Sequence, residues 1–332
     1  MNNFFCKIYL LIFIFSFPIF SNEYSVMTFN VENLFDTKDD LKKNDKAFLP
    51  IEQKQSKKHK ESCLKIRVNS WKNECLYLDW NIETKDAKLK NLVDYILLFE
   101  NGADIIALQE VENNNILNQL YKLLEPYGYI DFVLLEGKDY RGIDNAIISK
   151  FKIHDSKLHY INFSGDNSNK DSRPILDVTI NVNNKKIKIY NVHFPSGFYD
   201  VSMRIDSLNQ LRKLLKSHNY PSIALGDFNI NTKEDKKLKI YESEQSDWIV
   251  ANLEGCQKCR GTYFYNYGNT WEYLDNIFIS KKRDISFIQD SINTHITNIN
   301  SYQDTGRPKS FNPKNKEGVS DHFAMIAKFQ IN

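Results

Sequence analysis

Net charge, long apolar runs, internal repeats and cysteine are all scarce in this 332-residue chain. Forty-four Lys and Arg against 42 Asp and Glu leave a formal charge of +2. That gives little global attraction for nucleic acid, so a polyanion would have to be held by local patches. Beyond residue 20 no stretch stays apolar for long enough to span a bilayer. No repeat and no shift in composition marks a domain boundary. What is present is core material. With 42% hydrophobic and 13% aromatic residues the chain is globular rather than disordered.

The long apolar run is at the start. Met1–Lys7 carries one positive charge, and Ile8–Phe20 is almost wholly apolar before Ser21. The pattern predicts a secretory signal over residues 1–21, with an uncleaved anchor as the other reading. The mature chain, 22–332, is then expected in the periplasm or secreted, as a monomer without stable membrane association. Export changes what the five cysteines mean. Cys6 leaves with the signal, and Cys63, Cys75, Cys256 and Cys259 remain for an oxidising compartment. Local disulfides, Cys63–Cys75 and Cys256–Cys259, are expected ahead of a four-cysteine zinc site or a redox-active Cys256-x-x-Cys259.

Periodicity then gives the elements. Strands are expected at Tyr24–Asn30, Asp104–Glu110, Phe132–Leu135, Ile143–Ser149, Ile175–Asn181, Lys185–Val192, Ser222–Leu225, Thr270–Ser280 and Val319–Phe329. Asn183-Asn184 reads as a hairpin turn. Helices are expected at Ala87–Phe99, Asn114–Leu124 and Ser202–Ser217, each with one apolar face. Thr37 to about Glu83 is Lys-rich and irregular, an insertion read as a solvated loop or a basic arm for a polyanion. Glu234–Asn252 reads as polar and loop-like with room for short helical turns, and Asn293–Gly318 as a polar loop. The whole is expected to be one α/β domain.

Polar residues collect where those strands end: Asn30, Glu110, His193, Asp227, Asn229, Asp275, Asp321 and His322. Singly, each has a bland explanation as a strand terminus or turn. Together, carboxylates gathered at one edge would repel unless a cation shared them. Oxygen-rich ligands beside two imidazoles suit Mg²⁺ or Mn²⁺. A metal with a base and an acid is the equipment of phosphoryl or phosphodiester hydrolysis.

The order Thr28-Phe-Asn30, Ala107-Leu-Gln-Glu-Val-Glu112, Asn191-Val-His193, Gly226-Asp-Phe-Asn229, Leu274-Asp275 and Ser320-Asp-His322 resembles the endonuclease/exonuclease/phosphatase superfamily, in its deoxyribonuclease I-like form. The resemblance spans Tyr24–Phe329. It implies a four-layer α/β sandwich, two mainly antiparallel β-sheets packed face to face and flanked by helices. It implies Mg²⁺, or Mn²⁺ or Ca²⁺, held by Glu110 with Asn30 and Asp321. Asp227 would activate water, Asn229 would bind phosphate, and His322, oriented by Asp275, would contact a phosphate oxygen. His193 would protonate the leaving oxygen, with Arg173 and Tyr140 as looser phosphate contacts. The implied activity is a low-specificity endonuclease on DNA, and RNA as well. Lipid headgroups or small phosphate esters are the second substrate class, with Tyr263–Tyr267 the aromatic cluster that a lipid enzyme would expose. A non-catalytic binding module is the remote alternative.

Overall fold

Strands apolar on both faces need a cover on each side, here a second sheet on one and helices on the other. The computed structural model describes residues 23–331 apart from 257, 258 and 282. The expected signal at 1–21, with Cys6, lies outside the described residues. In chain order, β1 (Glu23–Leu34) leads through α1 (Lys57–Leu64) and α2 (Asn69–Tyr77) to α3 (Ile82–Leu97). Then come β2 (Ile105–Val111), α4 (Asn114–Leu124), β3 (Asp131–Leu134), β4 (Asp144–Ser149) and β5 (Ile153–His159). β6 (Ile175–Val182), β7 (Lys185–His193), α5 (Val201–Lys216) and β8 (Ser222–Asp227) follow. Next are α6 (Thr232–Leu238), α7 (Ile240–Glu244), β9 (Trp248–Val250) and α8 (Ala251–Glu254). The chain ends with β10 (Tyr263–Tyr265), β11 (Thr270–Glu272), β12 (Asp275–Ser280), β13 (Ile285–Phe287), β14 (Asn293–His295) and β15 (Ala324–Ile331).

One sheet runs β13-β15-β1-β2-β4-β3 with β14 also on β15, and the other runs β5-β6-β7-β8-β12-β9. The β1–β2 and β7–β8 pairs are parallel within otherwise antiparallel surroundings. Between the sheets lie Val26, Ile105, Ala107, Ile147 and Met325 from one, against Val178, Ile189, Ile223, Leu225 and Ile277 from the other. Outside the first sheet, α3 and α4 bury Leu89, Leu92, Ile96, Leu117 and Leu120 over Phe29, Ile106 and Leu108. Outside the second, α5 buries Leu208, Leu211 and Leu215 over Tyr190, Ala224 and Phe278. This is the expected four-layer sandwich. Each leucine so covered contributes about 1.5–3 kcal/mol from its removal from water. The helices start where capping residues stand: Asn81 accepts from Thr84 N–H, and Asn113 from the amides of Asn115 and Ile116. Asn183 and Asn184 turn the β6–β7 hairpin with φ of +49° and +63°, the left-handed pair that a two-residue turn requires. Among the described residues, no helix is long and apolar enough to cross a membrane.

Four sequence expectations give way. From Lys46 onward the stretch 37–83 is built of helices and helical turns rather than an irregular loop, because charges hide its anchors. Cys63 and Cys75 are joined across α1 and α2 at a Cα separation of 5.6 Å. Lys54 is buried, and its ammonium donates to the carbonyls of Ala47, Glu74 and Leu78. Phe48 and Trp80 then close on Phe35. Thr270–Ser280 breaks into β11 and β12, since the carbonyls of Tyr273 and Leu274 accept from Tyr241 and Phe228 instead of from a ladder. Asp321-His322 precedes β15 rather than opening it, and Asn293–Gly318 contains β14. The strand β5 has no counterpart among the expected strands. Cys256 pairs with Cys259, the expected local partner.

The Cys63–Cys75 link gives the first prediction. Replacing both by serine should loosen residues 57–77 selectively, removing about 2–3 kcal/mol of local stability. Hydrogen exchange should rise there and stay slow in β1, β7 and β8. Uniform exchange across the chain would refute a local staple.

Candidate active site

The register of the second sheet aligns three chemical groups. On adjacent strands β7, β8 and β12, His193 stands opposite Asp227, and Asp227 opposite Asp275. The first sheet supplies the other side through two irregular strand ends, with register breaks between Asn30 and Leu34 in β1 and between Leu108 and Val111 in β2. Glu32, Asn33 and Glu110 there have φ of +52°, +58° and +66°. Non-glycine residues hold such angles only where their surroundings over-determine them. Here they are fixed on every side. Glu110 Oε2 accepts from Asn33 N–H at 3.1 Å, and Asn30 Nδ2 donates to Asp227 Oδ2 at 3.2 Å. Ser320 Oγ donates to the Asn30 carbonyl at 2.7 Å, and Asp321 N–H to Glu32 Oε2 at 3.1 Å.

Beneath the site, buried amides tie one sheet to the other. Gln109 Nε2 donates to Asn191 Oδ1 at 2.7 Å, while Asn191 Nδ2 donates to the carbonyls of Leu108 and Ala146 at 2.9 and 2.8 Å. Asn145 Nδ2 reaches the carbonyls of Pro174 and Asn191. A network of this kind fixes the relative position of the two sheets.

The two imidazoles are in opposite charge states. Burial works against charge on His322, but Asp275, Asp321 and Asp227 outweigh it and hold the ring well above its usual range. Its Nδ1 lies 2.6 Å from Asp275 Oδ2, and the Tyr263 ring packs against it at a tilt, centroids 4.9 Å apart. Burial, with Arg173, Arg141 and His322 nearby, drives His193 well below its usual range, so it is neutral. Its Nε2 lies 3.6 Å from Asp227 Oδ2 and 3.9 Å from Glu110 Oε1. Between them, Asp227 is pushed up to about 7 by burial and by Asp275. Asn229 (φ +53°) turns sharply after it, donating its N–H to Asp227 Oδ1 at 2.9 Å and its Nδ2 to the Phe194 carbonyl at 3.1 Å.

Such crowding of carboxylates fits a hard divalent cation. Oxygens of Asp227 and Asp275 lie with a His322 nitrogen within 4.8 Å of one another, and Asp275 Oδ1 is buried without a hydrogen-bond partner. A protonated imidazole has no lone pair to give, so His322 is an unsuitable ligand. The oxygen donors Glu110, Asn30 and Asp321, around the Asn30–Asn33 segment, are the better set. Asp321 is 41% exposed in its side chain and looks outward.

The expected residues Asn30, Glu110, His193, Asp227, Asn229, Asp275, Asp321 and His322 therefore share one site. Arg173 is buried behind His193, but its guanidinium donates to the carbonyls of His193 and Phe194 and to Asp139. Tyr140 is exposed on a loop, its carbonyl bonded to Asn44 N–H. The Tyr263–Tyr267 cluster is the β10–β11 hairpin, with Phe264 buried and Tyr267 96% exposed. Two further participants are not among the residues the sequence points to. Glu32 is pushed up to about 8 by burial and Asp321. Lys88 buries its ammonium on the carbonyls of Glu32 and Val319. Its signal was a lysine in line with Leu92 and Ile96 on an apolar helix face.

Comparison with known proteins gives this geometry a family. The sequence profile of the Endonuclease/Exonuclease/phosphatase family matches residues 80–322. The chain belongs to that family. Among curated proteins none matches it. Solved structures show the same fold at low identity. A family protein from Bacteroides thetaiotaomicron has a TM-score of 0.57 and 13% identity, over 94% of this chain and 98% of that one. D. rerio TDP2 complexed with a single strand DNA product gives 0.56 and 14%, over 93% and 99%. The mannosyl-6-phosphatase of B. thetaiotaomicron VPI-5482 gives 0.55 and 13%, over 92% and 99%. Family members act on phosphate esters and generally depend on divalent metals.

The charge on His322 can be read directly. Asp275→Asn removes its nearest partner, so the imidazole pKa should fall toward the ordinary histidine value. In nitrogen-15 spectra the wild-type ring should stay protonated at pH 7 and the variant ring should not. An unchanged titration would show that Asp275 does not set the charge.

Proposed function

We propose that this protein is an exported, metal-dependent phosphodiester hydrolase whose substrate is nucleic acid, DNA ahead of RNA, cut with little sequence preference. The observation that carries the reading is the pair of imidazoles in opposite charge states flanking Asp227. Groups whose pKa values are pushed apart in one site divide the work of base, acid and anion binding. In this reading Asp227 accepts a proton from the attacking water as the new P–O bond forms. The charged His322 and the amide of Asn229 hold phosphate oxygens. As the P–O bond to the leaving group breaks, His193 donates a proton to the departing oxygen. It is neutral in the free protein, and a bound phosphate beside it favours the charged form. At 3.6 Å, Asp227 can return to it the proton taken from water. Arg173 backs His193 and contributes positive charge. Glu110, Asn30 and Asp321 would hold the cation, Mg²⁺ or else Mn²⁺ or Ca²⁺, which supplies Lewis-acid polarisation of the phosphate.

Nucleic acid is favoured by aromatic rings left in water near the catalytic strands. Phe198, five residues past His193, is 92% exposed, and Tyr267 tips the hairpin that carries Tyr263. Exposed rings of this kind stack bases without regard to sequence. The TDP2 structure with a single strand DNA product is in keeping with this. Export rests on the N-terminal segment and the two disulfides. One observation favours a second reading. A cleft of about 480 Å³ lies beside Asp321, lined by Tyr263, Asn266, Tyr302 and Arg307 among others, and would accommodate a small phosphate ester. The mannosyl-6-phosphatase neighbour fits that case.

Purified protein with Mg²⁺ should nick plasmid DNA and stop with EDTA, leaving sphingomyelin and mannose 6-phosphate intact. Turnover of either of those without nicking would overturn the nuclease reading. For the acid role, His193→Ala should slow DNA cleavage by about 10²–10⁴-fold, yet barely slow a nitrophenyl phosphodiester. Equal losses on both would assign His193 to binding.

A further inference from the structure

A second acidic cluster lies away from the row His193–Asp227–Asp275. Oxygens of Asp40, Asp45 and Glu112 lie within 4.8 Å of one another. Oxygens ringing one Ca²⁺ at about 2.3–2.6 Å are at most about 5 Å apart, so the three fit a single coordination sphere. Asp36 is next to them, its N–H donating to Glu112 Oε2 at 2.7 Å, and the exposed Asp39 faces Asp45. A cluster of acids alone would mean little. Here a second observation points to a ligand: Asp45 is 1% exposed, and its Oδ1 has no hydrogen-bond partner. Burying an unpaired carboxylate oxygen among like charges is costly unless a cation joins them.

The neighbouring polar groups are already committed elsewhere. Asp45 Oδ2 accepts from Asp40 N–H, and Asn113 Nδ2 donates to Asp40 Oδ2 at 3.1 Å. Asn113 Oδ1 caps α4, and Asn115 Nδ2 donates to Asp36 Oδ2. Lys43, the nearby cation, directs its ammonium to the carbonyls of Gly137 and Asp139 instead. Asp40 also lines an open cleft of about 320 Å³ with Asn113 and Asn115, which provides an entry path.

We propose that Asp40, Asp45 and Glu112, with Asp36 adjoining, form a structural Ca²⁺ site separate from the catalytic centre. All donors are oxygens, and the Asp36–Asp45 loop can adjust to the irregular shell that Ca²⁺ accepts and Mg²⁺ does not. The ion pins that loop to the end of β2, two residues past Glu110. Its occupancy therefore stiffens the segment carrying Glu110 without touching substrate.

The test uses the full-length protein stripped with EDTA, titrated calorimetrically with CaCl₂ and melted with and without it. Glu110→Gln serves as background, so that binding at the catalytic centre is suppressed. Calcium should bind this background and raise its melting temperature, with MgCl₂ giving a smaller rise. Adding Asp45→Asn should abolish both effects and raise the calcium-free melting temperature by removing repulsion. The milder Asp40→Asn, at a half-buried position, should weaken binding at least about tenfold, and it decides the matter if the Asp45 variant misfolds. Calcium binding unchanged by Asp40→Asn, or no calcium binding in the background, would overturn the site.

Discussion

The site depends on how closely β7 and β8 approach each other at Gly226. A Cβ added there would lie 2.0 Å from the Val192 carbonyl oxygen, and the residue holds φ +145°. Only glycine lets the two parallel strands keep register through their last residues, where His193 meets Asp227. With that register fixed, β12 brings Asp275 alongside and His322 is drawn to it. The bulged ends of β1 and β2 complete the constellation from the opposite sheet, and the Asn191–Gln109 amides lock the sheets together below it. Four layers of apolar packing thus serve to hold two strand edges in place.

That arrangement turns geometry into electrostatics. Two imidazoles share one buried pocket of carboxylates, yet one is charged and one neutral because only His322 has a carboxylate at hydrogen-bond distance, while Arg173 and Arg141 face His193. Asp227 sits between them near neutrality, where a small change in local charge moves its proton. A cation or a phosphate entering the site would therefore redistribute protons rather than merely bind.

Much of this was legible in the chain. Alternation located the main strands to within a few residues, helical stripes gave α4 its observed bounds, and each polar strand end named from the sequence has a place in the site. What was hidden follows a pattern. Lys54 and Lys88 look like solvated charges, and only tertiary structure shows their ammonium groups bonded to carbonyls inside the fold. Glu32 lies two residues past the expected strand end Asn30, with no periodicity to single it out. The helices α1 and α2 have weak amphipathic stripes, so their order comes from a cross-link and one aromatic cluster. Arg173 was found, but its engagement with backbone carbonyls is a matter of distance that spacing does not encode.

The central claim, that Glu110 anchors the cation of a phosphodiester hydrolase, has a direct measurement: cleavage by Glu110→Gln with saturating Mg²⁺, beside its melting temperature. The carboxylate of Glu110 accepts a single backbone hydrogen bond, from Asn33, so neutralising it should leave the fold intact. Activity should fall at least about a hundredfold, as removal of a metal ligand worth several kcal/mol requires, with melting essentially unchanged. A folded variant that cleaves as fast as the wild type would contradict the account.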